Sequence, residues 1–474
     1  MLTARRRNDR AEDTVPDRET VPDCDTAQDR DTAQDWTPLG APWPAAARRD
    51  GDDVLVGGVA LGHVAARFGT PVYVLDEAEV RERCRAYRRA LPDAEVHYAA
   101  KAFLCGAVAE WVEQEGLGLD VCSGGELELA VTCGFPAERI VLHGNAKSPE
   151  ELAAAVRLGV GRIVVDSFPE IARLAVLASD DCPQDVLVRV VPGVAAGHHP
   201  SVRTGTDEQK FGFSLEPGES GAVSAAVDAV DRILHQPHLR LVGLHCHLGS
   251  QIADTAPYLA ALDRLVPLLA SVRDRHGVAL PELDLGGGHA VPYRRGEPAL
   301  DLEEFAAAVT TRLEQLCSRH RLPVPRLAVE PGRAVTGPAG VAVYRVLTVK
   351  HSPGGLTFVA VDGGMSDNPR PALYGSRYTA TLIGRASDAP LAEARVVGRH
   401  CEAGDVLVPS VELPADVRPG DLLAVPAAGA YHLSMASGYN LVGRPPLIAV
   451  RDGAARMLMR RETLDDFRRR DIGR

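Results

Sequence analysis

Between about residue 71 and residue 335, short apolar runs alternate with longer stretches whose apolar residues fall at helical spacing. The runs are Pro71–Leu75, Val96–Lys101, Gly118–Ser123, Arg139–His143, Arg162–Asp166, Asp185–Pro192, Leu241–Leu248, Leu283–Gly286 and Leu327–Glu330. The helical stretches include Glu150–Leu158, Pro169–Leu177 and Pro257–His276. Repeated strand–helix units predict a parallel sheet covered by helices. Eight or so strands within ~250 residues point to a closed (β/α)8 barrel of the TIM type. A doubly wound open sheet is the alternative, but no Gly-x-Gly-x-x-Gly follows an early strand.

After Arg333 the pattern changes. Residues 341–350, 357–362, 394–399, 405–411, 421–425 and 446–450 are short β-like runs separated by Gly and Pro turns. They predict a C-terminal antiparallel β-barrel or sandwich over 336–474, to which the segment 37–70 adds a strand near Asp53–Val59. The chain would enter through this β domain, build the barrel over 71–335 and return. Residues 1–36 are polar and repetitive, with Thr-Val-Pro-Asp at 14–17 and 20–23. They hold too little apolar surface to offset the entropy of ordering and are read as a disordered acidic tail.

A net charge of −12 argues against nucleic acid or an anionic membrane as a partner. No run approaches the ~18 apolar residues of a membrane span, and the basic stretch Met1–Arg7 has no apolar segment behind it. The nine cysteines show no CxxC pair or zinc-type spacing, which reads as reduced thiols in a cytoplasmic protein without a metal centre.

Lysine usage narrows the chemistry. Of 52 basic residues only four are lysines, at positions 101, 147, 210 and 350. Lys101 closes an apolar run, and only a primary amine can form a Schiff base. Barrel active sites form at the C-terminal ends of strands. There lie Asp120-Val121-Cys122-Ser123, His245-Cys246-His247-Leu248-Gly249-Ser250, Gly286-Gly287-Gly288 and Glu330-Pro331-Gly332-Arg333. Taken singly, each has a plain reading: a snorkelling surface lysine, a tight glycine turn, a buried Glu–Arg pair. Together they offer an amine for an aldehyde, glycine N–H groups for a phosphate, a carboxylate for a ring nitrogen and an imidazole to stack. Those are the needs of pyridoxal 5′-phosphate, whose protonated ring is an electron sink.

These motifs resemble those of the fold-type III pyridoxal-phosphate decarboxylases, most closely the diaminopimelate decarboxylases. The matching stretches are Tyr98-Ala-Ala-Lys101, Asp120-Val-Cys-Ser, His143-Gly-Asn-Ala-Lys147, His245-Cys-His-Leu-Gly-Ser-Gln251, Gly286-Gly-Gly288 and Glu330-Pro-Gly-Arg333. They continue with Asp362-Gly-Gly-Met-Ser-Asp-Asn-Pro-Arg370-Pro-Ala-Leu-Tyr374, Cys401-Glu402-Ala-Gly-Asp405 and Gly429-Ala-Tyr431 through Asn440, so the likeness spans about residues 43–465. It implies an alanine racemase-like barrel with a C-terminal β domain. Lys101 would carry the cofactor and His247 would stack on its ring. Asp120, Ser250, Gly287, Gly288, Glu330, Gly332, Arg333 and Tyr431 would surround it, with Glu330 on the ring nitrogen. Cys401 would arrive from the partner subunit of a homodimer and protonate the carbanion left by CO₂.

For the substrate, Arg370 is the sharpest clue, because a guanidinium pairs with a distal carboxylate and repels a distal ammonium. Tyr374 suits the same carboxylate and Glu402 the accompanying ammonium, with Arg333 and Tyr431 also expected at the substrate. This favours meso-2,6-diaminopimelate, decarboxylated to L-lysine, over ornithine or arginine. A paralogous decarboxylase of another or a carrier-tethered amino acid stays open, as does a racemase or a cofactor carrier. Glu330 speaks against a racemase of this fold, which places an arginine at the ring nitrogen. Two positions depart from the commonest family pattern: Ala403 after Cys-Glu, and His432 after the family tyrosine. Lys147 and Lys210 are read as structural.

Overall fold

Eight apolar runs become eight parallel strands, as their pattern predicts: Glu95–Ala99, Gly118–Val121, Ile140–Leu142, Arg162–Val165, Gln184–Val191, Leu239–His245, Glu282–Asp284 and Arg326–Val329. In the computed structural model, which describes residues 37–473 apart from 195, 197–203, 207 and 218–222, each pairs with the next. Arg326–Val329 pairs back onto Glu95–Ala99, and Gln184–Val191 joins Arg162–Val165, so the sheet closes into a barrel. The expected disordered tail over 1–36 lies outside the described residues.

The interstrand helices start where the sequence can cap them. Ser148 accepts from Glu151 N at the head of Pro149–Leu158, and Glu151 returns the bond to Ser148 N, a complete capping box. Ser123 likewise caps Gly124–Thr132. Apolar residues on the inner strands and the helix faces fuse into one core containing Leu119, Leu244, Leu283 and Val329, all buried.

One run departs from its sequence reading. Pro71–Leu75 was expected in the barrel, but Val72–Asp76 is a strand of the second sheet, antiparallel to Gly340–His351 and parallel to Leu447–Arg451. Its residues alternate between two cores: Val72 and Val74 face the N-terminal segment, while Tyr73 and Leu75 join the barrel-side core. A strand buried on both faces reads as a continuous apolar run, so it mimics a barrel strand.

The second sheet contains every run expected after Arg333, plus Thr381–Ile383 and Ala454–Met459. It is mixed rather than purely antiparallel, because Thr357–Val361 also pairs in parallel with Leu391–Val397. Those two strands are separated by a long excursion through residues 362–390, so no tight hairpin forces them antiparallel. Asp53–Val56 is a strand, as expected, but it belongs to a small four-stranded sheet that packs Val54 and Val56 against the second sheet.

A central truncation should be costly. Leu283→Ala removes a fully buried side chain from the seventh barrel strand, and a loss of about 2–5 kcal/mol is expected in urea unfolding.

Candidate active site

Lys101 lies just past the first barrel strand, in the single helical turn Ala100–Ala102. Its side chain is 38% exposed at the barrel mouth, and Nζ donates to Asp120 Oδ2 at 3.1 Å. Burial opposes the ammonium charge, but Asp120, Tyr431 and Glu330 outweigh it and hold the lysine above its ordinary value. Resting Lys101 is therefore a protonated amine with an acceptor beside it.

Glu330 forms the floor. It follows the eighth strand, is 3% exposed, and faces two histidines: His143 Nε2 stands 2.7 Å from Oε1 and His245 Nε2 stands 3.3 Å from Oε2. Burial pushes this carboxyl up, yet the two histidines hold it well below the usual carboxylate range. The neighbouring Asp284 moves the other way: burial, then the Glu330 charge, push it well above its ordinary value. The two buried acids of the floor are thus pushed in opposite directions, Glu330 toward its ionised and Asp284 toward its neutral form. The His143 contact is close but poorly aligned, so Glu330 Oε1 is a buried acceptor with no hydrogen-bond partner.

His247 and the glycine loop make the wall. Gly287 N–H donates to His247 Nδ1 at 3.2 Å, so Nδ1 is unprotonated. Burial, with Lys101 and Arg189 nearby, holds the imidazole well below its ordinary value and hence neutral. A Cβ on Gly287 would lie 2.1 Å from Glu330 O, and one on Gly288 2.2 Å from Gly249 O. Backbone packs where side chains would stand. An orphaned carboxylate acceptor, a glycine loop and a lysine at the mouth fit pyridoxal phosphate, with Glu330 for its ring nitrogen and Lys101 for its aldehyde.

Beside this cradle opens a cavity of about 400 Å³ whose lining includes Ser250, Tyr293, Arg333, Arg370 and Tyr374. Arg333 donates to the Tyr293 hydroxyl and to Ser250 Oγ at 2.9 Å. Arg370 Nε donates to Tyr378 Oη at 2.9 Å, and Nη2 reaches Ser376 Oγ at 3.3 Å. Both guanidinium groups lie over the Tyr431 ring, at 4.5 and 5.5 Å. Tyr431 adopts a left-handed φ of 59° and donates its N–H to Ala102 O at 2.8 Å, tying it to the Lys101 turn. Gly332 begins the Arg333 turn, and a Cβ on it would stand 3.0 Å from the Ala99 and Ala102 side chains. Arg333 and Arg370 are 7% and 6% exposed, yet among the described residues neither meets a carboxylate.

Cys401 and Glu402 stand apart. Both are exposed, neither lines the cavity, and Glu402 accepts from the Tyr439 hydroxyl at 2.8 Å. Their loop is clamped through Asp405, which accepts from Met365 N at 2.6 Å and from His400 N at 2.7 Å. Sequence reasoning gave no role to His143, His245, Asp284, Tyr293, Tyr378 or His432. The two histidines stood inside quoted motifs, and His245 and Asp284 end barrel strands, which was a usable signal. Tyr293 and Tyr378 carry no local signal, since only the fold brings them to the arginines.

The opposed shifts of Glu330 and Asp284 have a pH signature. Asp284, raised above its unfolded value near 3.8, adds stability that is complete below that pH and shrinks as pH rises toward its folded value. Glu330, depressed from 4.5, contributes above that pH and loses its share only as pH falls through its much lower folded value. From about pH 5 upward only the Asp284 share changes. Asp284→Asn mimics the neutral acid, so the stability of wild type minus variant should fall as pH rises in urea unfolding of cofactor-free protein. A difference that grows with pH contradicts the assignment.

Residues 77–337 match the family model described as pyridoxal-dependent decarboxylase, pyridoxal binding domain. The diaminopimelate decarboxylase of Actinosynnema pretiosum subsp. auranticum is 57% identical over 91% of this chain and 95% of its own. That of Mycobacterium bovis is 48% identical over 90% and 96%. The solved diaminopimelate decarboxylase of M. jannaschii in complex with L-lysine superposes with a TM-score of 0.83 at 29% identity, covering 91% of this chain and 98% of its own. The chain belongs to the pyridoxal-dependent decarboxylases, within the diaminopimelate decarboxylase group.

Proposed function

We propose that the protein decarboxylates meso-2,6-diaminopimelate to L-lysine and CO₂, with pyridoxal phosphate carried on Lys101. The observation that carries the substrate is the pair of buried guanidinium groups, Arg333 and Arg370, which meet no carboxylate among the described residues. Unpaired buried cations are costly, so the cavity is complementary to an anion. Arg333 gives one N–H from each Nη to Tyr293 and Ser250, and Arg370 gives Nε to Tyr378 and Nη2 to Ser376, so Nη1 of Arg370, with Tyr374 beside it, is assigned to the substrate's distal carboxylate. Ornithine would bring an ammonium to the same edge and be repelled.

Bound pyridoxal phosphate supplies the sink for the electron pair left on Cα when CO₂ departs. Glu330, kept ionised, holds a proton on the ring nitrogen and so deepens that sink. Neutral His247 covers one face without adding a competing charge. Asp120 Oδ2, 3.1 Å from Lys101 Nζ, holds the lysine amine at the barrel mouth. Ser250 and the glycine loop at Gly288 would hold the phosphate.

Proton return to Cα is assigned to Cys401 of a second copy, with Glu402 of that copy at the distal ammonium. Their exposure and absence from their own chain's cavity support a shared dimer site, as do the exposed Tyr439 and Leu441 nearby. The described cysteines are all free, in keeping with a reducing cytoplasm, and no described helix is long and apolar enough to cross a membrane.

Two outcomes are expected. Arg370→Ala should lower kcat/KM for diaminopimelate roughly 10- to 100-fold while the bound cofactor's absorbance stays unchanged; unaltered kinetics would remove Arg370 from the substrate site. Lys101→Ala and Cys401→Ala, each inactive alone, should regain about a quarter of wild-type activity on mixing, because half of the re-formed dimers hold one intact site. No recovery, with subunit exchange verified by mass spectrometry, would contradict the shared site.

A further inference from the structure

Arg370, between Pro369 and Pro371, opens a helix of only five residues, Arg370–Tyr374, and meets no acidic partner among the described residues. A long side chain under those conditions samples several rotamers unless other groups fix it. The fixing groups lie behind it, away from the chemistry. Arg370 Nε donates to Tyr378 Oη at 2.9 Å, and Tyr378 Oη lies 3.0 Å from His432 Nε2. Tyr378 and His432 are each 1% exposed. A phenol that accepts from Nε–H has its own proton to give, and two acceptors stand beside it: His432 Nε2, and the Tyr293 hydroxyl, which already accepts from Arg333. Burial, with Arg370 and Arg333 close by, keeps His432 well below its ordinary value, so the lone pair is available.

The rings are fixed in turn. Tyr378 packs edge-on against Tyr293 at 4.8 Å and against His432 at 5.2 Å, and the far side of His432 meets the edge of Tyr73 at 6.0 Å. His432 also follows Tyr431, whose backbone is tied to the Lys101 turn. One chain of contacts thus links the lysine segment to the arginine at the cavity's far end.

We propose that Tyr378 and His432 are positioning residues: the relay Arg370 Nε–H to Tyr378 O–H to His432 Nε2 turns the Nη edge of Arg370 toward the substrate's distal carboxylate. The proposal rests on the reading of Arg370 given above. It assigns His432, a departure from the commonest family pattern, to substrate discrimination and not to core filling alone.

The test uses the cofactor-loaded full-length protein and two inhibitors, L-lysine, which keeps the distal carboxylate, and 1,5-diaminopentane, which lacks it. Tyr378→Phe and His432→Leu should each raise KM for diaminopimelate and the L-lysine inhibition constant about tenfold. The same variants should leave the 1,5-diaminopentane constant and the cofactor absorbance unchanged, with kcat within about threefold. His432→Gln, whose amide oxygen can accept from Tyr378, should restore the wild-type L-lysine constant. Equal weakening of both inhibitors, or a His432→Gln variant as impaired as His432→Leu, would overturn the relay. Arg370→Ala separates the two levels. If it weakens L-lysine while Tyr378→Phe does not, the relay alone fails; if it leaves L-lysine unaffected, the reading of Arg370 fails and takes the relay with it.

Discussion

Everything at the barrel mouth depends on keeping one carboxylate charged where burial would neutralise it. Glu330 is almost wholly enclosed, and an isolated carboxyl there would hold its proton. His143 and His245 reverse that preference, and Asp284 gives up its own charge to make room. All four lie at or just beyond the C-terminal ends of barrel strands, so the closed parallel sheet sets their separations. The charge could not be held this way on mobile loops, because a misaligned partner in a low-dielectric setting is nearly as costly as none. The proposed partnership of Glu330 with the cofactor's ring nitrogen rests on this arrangement.

The second sheet contributes what the barrel lacks. Its loops bring Arg370, Tyr374 and Tyr431 to the mouth, and Tyr431 N and Ser434 Oγ both donate to Ala102 O, next to the cofactor lysine. The proposed selectivity rests on the arginine pair, which meets no carboxylate among the described residues and so suits a ligand carrying one at its far end. The same sheet leaves Cys401 and Glu402 exposed, which the proposed shared site requires.

Much of this was legible in the chain. The eight barrel runs were visible because parallel strands buried on both faces are continuously apolar. That property also misled the reading of Val72–Asp76, which is equally buried but belongs to the other sheet. Lys101, Glu330 and the glycine loop stood out because their residue types are hard to replace. The supporting groups did not. Asp284 resembles any strand-end acid until Glu330 is placed beside it, and Tyr293 and Tyr378 become meaningful only when distant segments converge on Arg333 and Arg370. Motifs point to the groups proposed to meet the cofactor, whereas the groups that set their charge and direction are scattered and emerge from packing.

The most direct test of the account is the product formed by purified protein loaded with pyridoxal phosphate and given meso-diaminopimelate, L-ornithine or L-arginine at equal concentrations. The arginine pair predicts stoichiometric L-lysine and CO₂ from diaminopimelate, and turnover of the two distal cations lower by roughly 10⁴-fold. Comparable turnover of ornithine, or a cofactor-loaded protein inert toward diaminopimelate, would contradict it.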